Sequence, residues 1–233
     1  MSKKKIVIVL TSHDRLGQTG EKTGFWLEEL ATPYYVFIDA GFDVELASPR
    51  GGKAPYDPRS LDREENRPPS VVRFLSDQTA MGKVERTTPL SSLVPDLIHG
   101  IFVAGGHGTM WDLPDDERLA ALIGRVYDTR GVVAAVCHGP AGLVAARADG
   151  GMGRSILEGK RVTGFSNAEE DAIKLTKVVP FLLESRLDEL AGKGNYSSGG
   201  MWQAHAVRDG NVITGQNPQS SERVAKLVVE ALA

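Results

Sequence analysis

Along this chain, runs of branched apolar residues alternate with segments of helical period. Residues 5–11 (KIVIVLT) form a continuous apolar run, the pattern of a strand covered on both faces. Residues 24–40 (GFWLEELATPYYVFIDA) read as a helix in which Pro33 forces a kink or a restart. Residues 43–47 (DVELA) are a second strand, and 98–104 (IHGIFVA) a third that ends in Gly105-Gly106. A helix follows over 115–127, with Pro114 and two acids at its start. Then come a buried strand over 131–136 (GVVAAV), a helix over 139–146, a short strand over 161–164 and an amphipathic helix over 180–190. Residues 207–214 predict a hairpin turning at Asp209-Gly210. Residues 220–232 predict a closing helix capped by Ser220 or Ser221.

Alternation at this spacing predicts a three-layer αβα sandwich around a mostly parallel sheet, in one domain over 1–233. One stretch breaks the rhythm. Residues 49–90 are rich in Pro, Arg, Asp and Gly and are too long for an ordinary connection. They are expected to form an insertion or lid within the domain. The glycine-rich stretch 191–200 (AGKGNYSSGG) reads as a mobile loop.

Composition narrows the classes. The 233 residues are enough for a large core, and 41% hydrophobic with 24% charged is ordinary for a soluble protein. A net charge of −3 argues against a dedicated nucleic-acid binder. No apolar run approaches the ~20 residues of a membrane helix. The start, MSKKKIVIVL, has an apolar run of Ile6 to Leu10 only, too short for a signal peptide and read as a first strand after a basic tail. One cysteine excludes an intrachain disulfide and a Cys-x-x-Cys metal site. The expected compartment is the cytoplasm, where a free thiol stays reduced.

That cysteine, Cys137, stands where a buried strand passes into the helix expected over 139–146. A sharp turn there lifts a side chain clear of the sheet, at the edge where open α/β folds bind ligands. A helix N-terminus is expected to lower the thiol's pKa. The alternative is a cysteine packed as a small hydrophobe. Its position favours a nucleophile. His138 follows directly and offers a ring as base and a backbone N–H for an oxyanion hole; it can also simply fill the turn. The loop AGGHGTMWD (104–112) also follows a buried strand but lacks the spacing of a dinucleotide fingerprint. Its adjacent glycines let backbone approach a substrate, so the Gly106 N–H is the second expected oxyanion donor. His13, Asp14 and Glu21 have no specific metal-ligand spacing, and no metal or other cofactor is expected. His205 is read as exposed or packed.

The motifs together resemble the PfpI-like superfamily, which shares its fold with class I glutamine amidotransferases. The likeness is carried by Lys22-Thr23-Gly24 with WLEEL and Pro33, then AGGHGTMWDLP, AVCHGPAGL, LEGKRVTGF and ITGQNPQSS. These span nearly the whole chain. The nearer branch holds small stress-inducible chaperones and glutathione-independent glyoxalases. The resemblance implies a flavodoxin-like, glutamine amidotransferase-like sheet. It also implies Cys137 as nucleophile, His138 as triad histidine and Glu170 as the acid that orients it, with Glu169 as a substitute. By the same register Glu29 is the acid on the first helix that contacts the nucleophile. A glutamine amidotransferase draws its histidine and acid from a distant H-x-E; QAHAVRD has no acid two places after His205, so glutaminase chemistry is discounted.

The implied activity converts 2-oxoaldehydes such as methylglyoxal to 2-hydroxy acids without a cofactor, with repair of glycated adducts as a broader version. Rival readings are a holding chaperone that binds unfolded chains, in which PYYVF (33–37) supplies apolar surface, a cysteine peptidase or amidase, and a redox sensor. A homodimer is expected.

Overall fold

The structure is a computed structural model, and it describes residues 3–61 and 67–233. Among these, seven strands form one sheet in the order β3-β2-β1-β4-β5-β7-β6. Its central members are β1 (Lys5–Val9), β2 (Asp43–Ser48), β4 (Gly100–Val103) and β5 (Val132–Val136), all parallel. Short β3 (Thr88–Pro89) closes one edge in parallel. At the other edge β7 (Val212–Gly215) is parallel to β5, and β6 (Ala206–Asp209) runs antiparallel to it. β1, β4 and β5 are apolar and almost wholly buried, as strands covered on both faces must be.

The chain moves one way from β1 to β2 and the other way from β4 to β5. Right-handed crossovers therefore place the connecting helices on opposite faces. Helix α1 (Leu27–Asp39) lies on one face, packed beside α8 (Ser221–Leu232), while α5 (Glu117–Asp128) lies on the other; the short helix α4 (Thr109–Asp112) follows β4, and α7 (Leu183–Ala191) follows the segment 161–172. The direction reverses between β1 and β4, and ligands of such sheets bind beyond the carboxyl ends of the strands at that point.

Several expectations need correction. Pro33 does not restart its helix: α1 runs unbroken through it. Residues 161–164 are no strand of the sheet and make only an isolated bridge, Val162 to Tyr196. Residues 139–146 do not form an α-helix. A five-residue 3-10 turn, Gly139–Leu143, stands there instead, because two glycines and Pro140 favour tight i→i+3 closure such as Ala141 N–H to the His138 carbonyl. The hairpin turns one residue later than expected, at Gly210-Asn211. Ser220 precedes α8 without capping it; its hydroxyl bonds to Asn217.

Residues 62–66 of the expected lid, and Met1 and Ser2 of the basic tail, lie outside the described residues. The rest of 49–90 divides in two. Residues 55–59 reach the carboxyl edge of the sheet, where the Phe25 N–H bonds to the Pro55 carbonyl. The helices α2 (Pro69–Ser76) and α3 (Gln78–Val84) bury Val71, Phe74, Ala80 and Val84 in the same apolar core as the sheet. The expected loop over 191–200 is tied down by the Gly194 N–H to Asp188 and the Gly199 N–H to Gln216. Among the described residues, no helix is long and apolar enough to cross a membrane.

Candidate active site

β5 delivers Cys137 with a φ of +59°, a conformation that side chains larger than hydrogen rarely adopt. The strain is held by the neighbours on both sides: the Cys137 N–H bonds to the Gly215 carbonyl, and the Phe165 N–H bonds to the Cys137 carbonyl. This is the sharp turn expected from the sequence, built without a following helix. Cys137 is 4% exposed. Its sulfur lies 3.4 Å from Nδ1 of His138. The backbone N–H groups of Gly106 and His138 both point at that sulfur.

β4 ends in the second element of the site. Gly105 donates its N–H to Glu29 Oε2 at 2.7 Å, and a Cβ there would stand 2.6 Å from that same oxygen. Gly106 has φ +96°, and a Cβ there would meet the Gly24 carbonyl oxygen at 2.4 Å. Only glycine permits this approach of the 105–108 loop to residues 24–26.

Glu29 sits in the first turn of α1, is wholly buried, and shares a hydrogen bond with Cys137. Burial drives its pKa well above the usual carboxylate range, against the pull of that bond and of the Gly105 N–H. Burial also pushes the Cys137 thiol up, aided by Glu29. The lowering expected from a helix N-terminus is overturned, because burial and Glu29 together outweigh every group that favours the thiolate. What opposes the rise is the pair of N–H groups from Gly106 and His138. Once Glu29 holds a proton, its repulsion of a thiolate vanishes while those two donors remain.

Glu170, on α6 (Asn167–Ala172), bonds His138 Nε2 through Oε2 at 2.7 Å. Burial pushes its carboxyl up, but the His138 charge and hydrogen bonds from two imidazoles outweigh it and hold the pKa well below the usual range. Glu169, the alternative acid, serves elsewhere. Its carboxylate accepts from Ser166, Trp202 and Asn217 and fixes the start of α6. The structure therefore brings together Cys137, His138, Glu29, Glu170 and Gly106.

His107 belongs to this cluster and sequence reasoning passed over it. Its Nε2 lies 3.0 Å from Glu170 Oε1, and its ring lies 4.1 Å from that of His138. Burial, the His138 charge and Arg59 lower its pKa to about 4, against the opposing pull of Glu170. The signal was its place in G-G-H-G, directly after a buried strand. Arg59 reaches His107 Nδ1 at 3.3 Å from the segment preceding the undescribed residues, and no motif marked it. The Phe165 ring packs against both imidazoles, with centroids 4.3 Å from His138 and 6.1 Å from His107.

His107, His138 and Glu170 have ligand atoms within 4.8 Å of one another, close enough for one metal ion. The guanidinium of Arg59 only donates, so Nδ1 of His107 keeps its lone pair and Nε2 keeps its hydrogen. A cation at Nε2 would have to displace that hydrogen beside an arginine. The cluster is built as a hydrogen-bond network. His13 and Asp14 are occupied elsewhere, by the Arg15 carbonyl and Lys22 respectively. His205 bonds to Ser197.

A doubly wound sheet with its one thiol at the carboxyl end of β5, facing an imidazole and a buried acid, defines a class of α/β proteins. The chain belongs to the DJ-1/PfpI family, which it matches over residues 22–231. It is 30% identical over 238 residues to the glutathione-independent glyoxalase HSP31 of Saccharomyces cerevisiae, covering 100% of this chain and 99% of that one. Among solved structures, it resembles the Rapid Encystment Protein 24 kDa of Francisella tularensis, with 40% identity, 99% of both chains covered and a TM-score of 0.92. Glyoxalase III of Candida albicans superposes with a TM-score of 0.88 at 28% identity, covering 98% of this chain and 97% of that one.

Proposed function

We propose that this protein is a glutathione-independent glyoxalase that converts methylglyoxal and related 2-oxoaldehydes to 2-hydroxy acids. One observation carries the reading. A single thiol faces a basic imidazole nitrogen on one side and a buried acid on the other, in a chain related over its full length to proteins named for this activity.

The chemistry needs both flanking groups. Cys137 adds through sulfur to the aldehyde carbon, its proton passes to His138 Nδ1, and Glu29 protonates the carbonyl oxygen. The product is a hemithioacetal. Glu29 takes back the proton held by His138 by way of the hemithioacetal hydroxyl; His138 then removes hydrogen from C1 while Glu29 protonates the C2 oxygen, giving an enediol. Protonation at C2 yields a thioester of the 2-hydroxy acid. Water hydrolyses that thioester, freeing the acid and restoring the thiol. C1 is oxidised as C2 is reduced within one molecule, so the step balances with water alone and calls for no redox cofactor. The N–H groups of Gly106 and His138, which are directed at the sulfur, are the donors available to the charge that develops on oxygen in the addition and in the hydrolysis. Glu170 holds the imidazole with Nε2 protonated and Nδ1 toward sulfur.

The chaperone reading loses its candidate surface. Pro33, Tyr34, Tyr35 and Phe37 are buried. The test is methylglyoxal consumption and lactate formation by the purified protein, with no glutathione or metal added. Turnover is expected in the wild type, with a loss of at least about 10³-fold in Cys137→Ala and Glu29→Gln. A wild type that leaves methylglyoxal unchanged overturns the reading.

A further inference from the structure

Glu170 receives two imidazoles on its two oxygens, and the second has no part in the proton transfers above. Its hydrogen positions follow from its partners. Nη2 of Arg59 stands 3.3 Å from Nδ1 of His107, and a guanidinium offers only donors. Nδ1 is therefore the acceptor and Nε2 carries the hydrogen, directed at Glu170 Oε1. With the tautomer reversed, two donors would meet at Nδ1 and two acceptors at Glu170.

Arg59 is itself locked. Its Nε donates to Asp57 Oδ1 at 2.9 Å and its Nη2 to Oδ2 at 2.6 Å. Asp57 is fully buried and accepts a further bond from Thr23 Oγ1 at 2.8 Å. The Asp57 N–H bonds to the Phe25 carbonyl, two residues before α1 begins. A chain of hydrogen bonds thus runs from Thr23 through Asp57, Arg59, His107 and Glu170 to the imidazole on the sulfur.

We propose that Arg59 and His107 are positioning residues for Cys137: Arg59 selects the tautomer of His107, and His107 thereby aims the Glu170 carboxylate so that His138 presents Nδ1 to the thiol. The arrangement explains why a half-buried arginine from outside the sheet, carrying its own acid, is inserted beside two histidines. The proposal rests on reading Cys137 as the reacting thiol. It does not need the substrate to be a 2-oxoaldehyde.

Two measurements test it. Nitrogen-15 spectra of the imidazoles in the folded wild type at pH 7 should show His107 protonated at Nε2. Protonation at Nδ1 would overturn the proposal without any variant being made. The second measurement is the rate of Cys137 alkylation by iodoacetamide as a function of pH, in Arg59→Met, His107→Leu and His107→Gln. Groups facing the thiol and its partners are Glu29 and Glu28 on α1, His107 and Arg59 beside Glu170, and His138 itself. The Met and Leu variants should react about tenfold more slowly at pH 7, with the midpoint of the profile displaced by about one pH unit. His107→Gln still offers an N–H to Glu170 and should stay within about threefold of wild type. Unchanged rates and midpoints in folded Arg59→Met and His107→Leu would overturn the proposal. So would a His107→Gln as slow as His107→Leu, because packing alone would then be the role. Alkylation and spectra are read without methylglyoxal, so failure of the glyoxalase reading would leave this result separately legible.

Discussion

Glu29 is a wholly buried acid that accepts the Gly105 N–H on one carboxyl oxygen and lies against the Cys137 thiol. Its raised pKa has a consequence for stability whose sign is definite. In the unfolded chain a glutamate ionises near pH 4.5, whereas in the folded protein Glu29 stays protonated to much higher pH. The folded state is thus most favoured by this group below pH 4.5, and the advantage falls as pH rises toward the folded pKa. Glu29→Gln keeps the shape and an oxygen for the Gly105 N–H but has no proton to lose. It should be more stable than wild type at pH 7 by about 1–3 kcal/mol, with the gap closing below pH 4.5. Urea unfolding at pH 4 and pH 7 checks this. Equal stability at both would mean that Glu29 is ionised in the fold. The variant that gains stability is the one expected to lose turnover, the usual trade at a site built for chemistry.

At the scale of elements, helix ends carry strain of a more ordinary kind. α5 closes with Arg130 at φ +62°, its N–H bonded to the Tyr127 carbonyl, before the Gly131 N–H bonds to the Val126 carbonyl. Position C′ of such a closure suits glycine, and the exposed arginine there costs about 1–2 kcal/mol in conformation. Arg130→Gly should raise stability by about 0.5–1 kcal/mol after the extra freedom of the unfolded chain is deducted, with turnover unchanged. A lower melting temperature would refute it. The same scale shows where sequence reading reached and where it stopped. β1, β4 and β5 were legible because continuous branched runs admit few alternatives. The 139–146 helix was misread because G-P-A-G supports either a helix start or a 3-10 turn, and packing of Gly139 against Val103 decides between them. Within the site, Cys137 and His138 were marked by their turn. Glu29 and Glu170 needed the family register, since a glutamate on a helix usually faces solvent. Arg59 was invisible because its partner lies 48 positions away.

For the molecule as a whole, the open question at the level of sequence was whether 49–90 is a cover or part of the body. Its helical portion behaves as body. Phe74 on α2 is fully buried, with its ring edge-on to Tyr34 at 5.5 Å and Tyr35 at 6.2 Å on α1. Arg73 beside it lies 3.7 Å over the Tyr35 ring and pairs with Asp39 at the end of α1. The Tyr35 hydroxyl donates to Asp77, which also caps α3. These contacts fasten α2 and α3 to the outer side of the helix that carries Glu29. Phe74→Ala should therefore cost about 3–5 kcal/mol in unfolding free energy, the penalty of an aromatic cavity in a core. Turnover per folded molecule at low temperature should stay near wild type, because no residue of 69–84 bonds to the thiol cluster. A cover would give the reverse outcome: little change in stability and a marked change in substrate affinity. Denaturant curves and steady-state kinetics on one preparation separate the two. The first outcome would leave residues 55–59, with Arg59 at their end, as the part of the insertion that serves the site, while the helices behind them hold α1 in place.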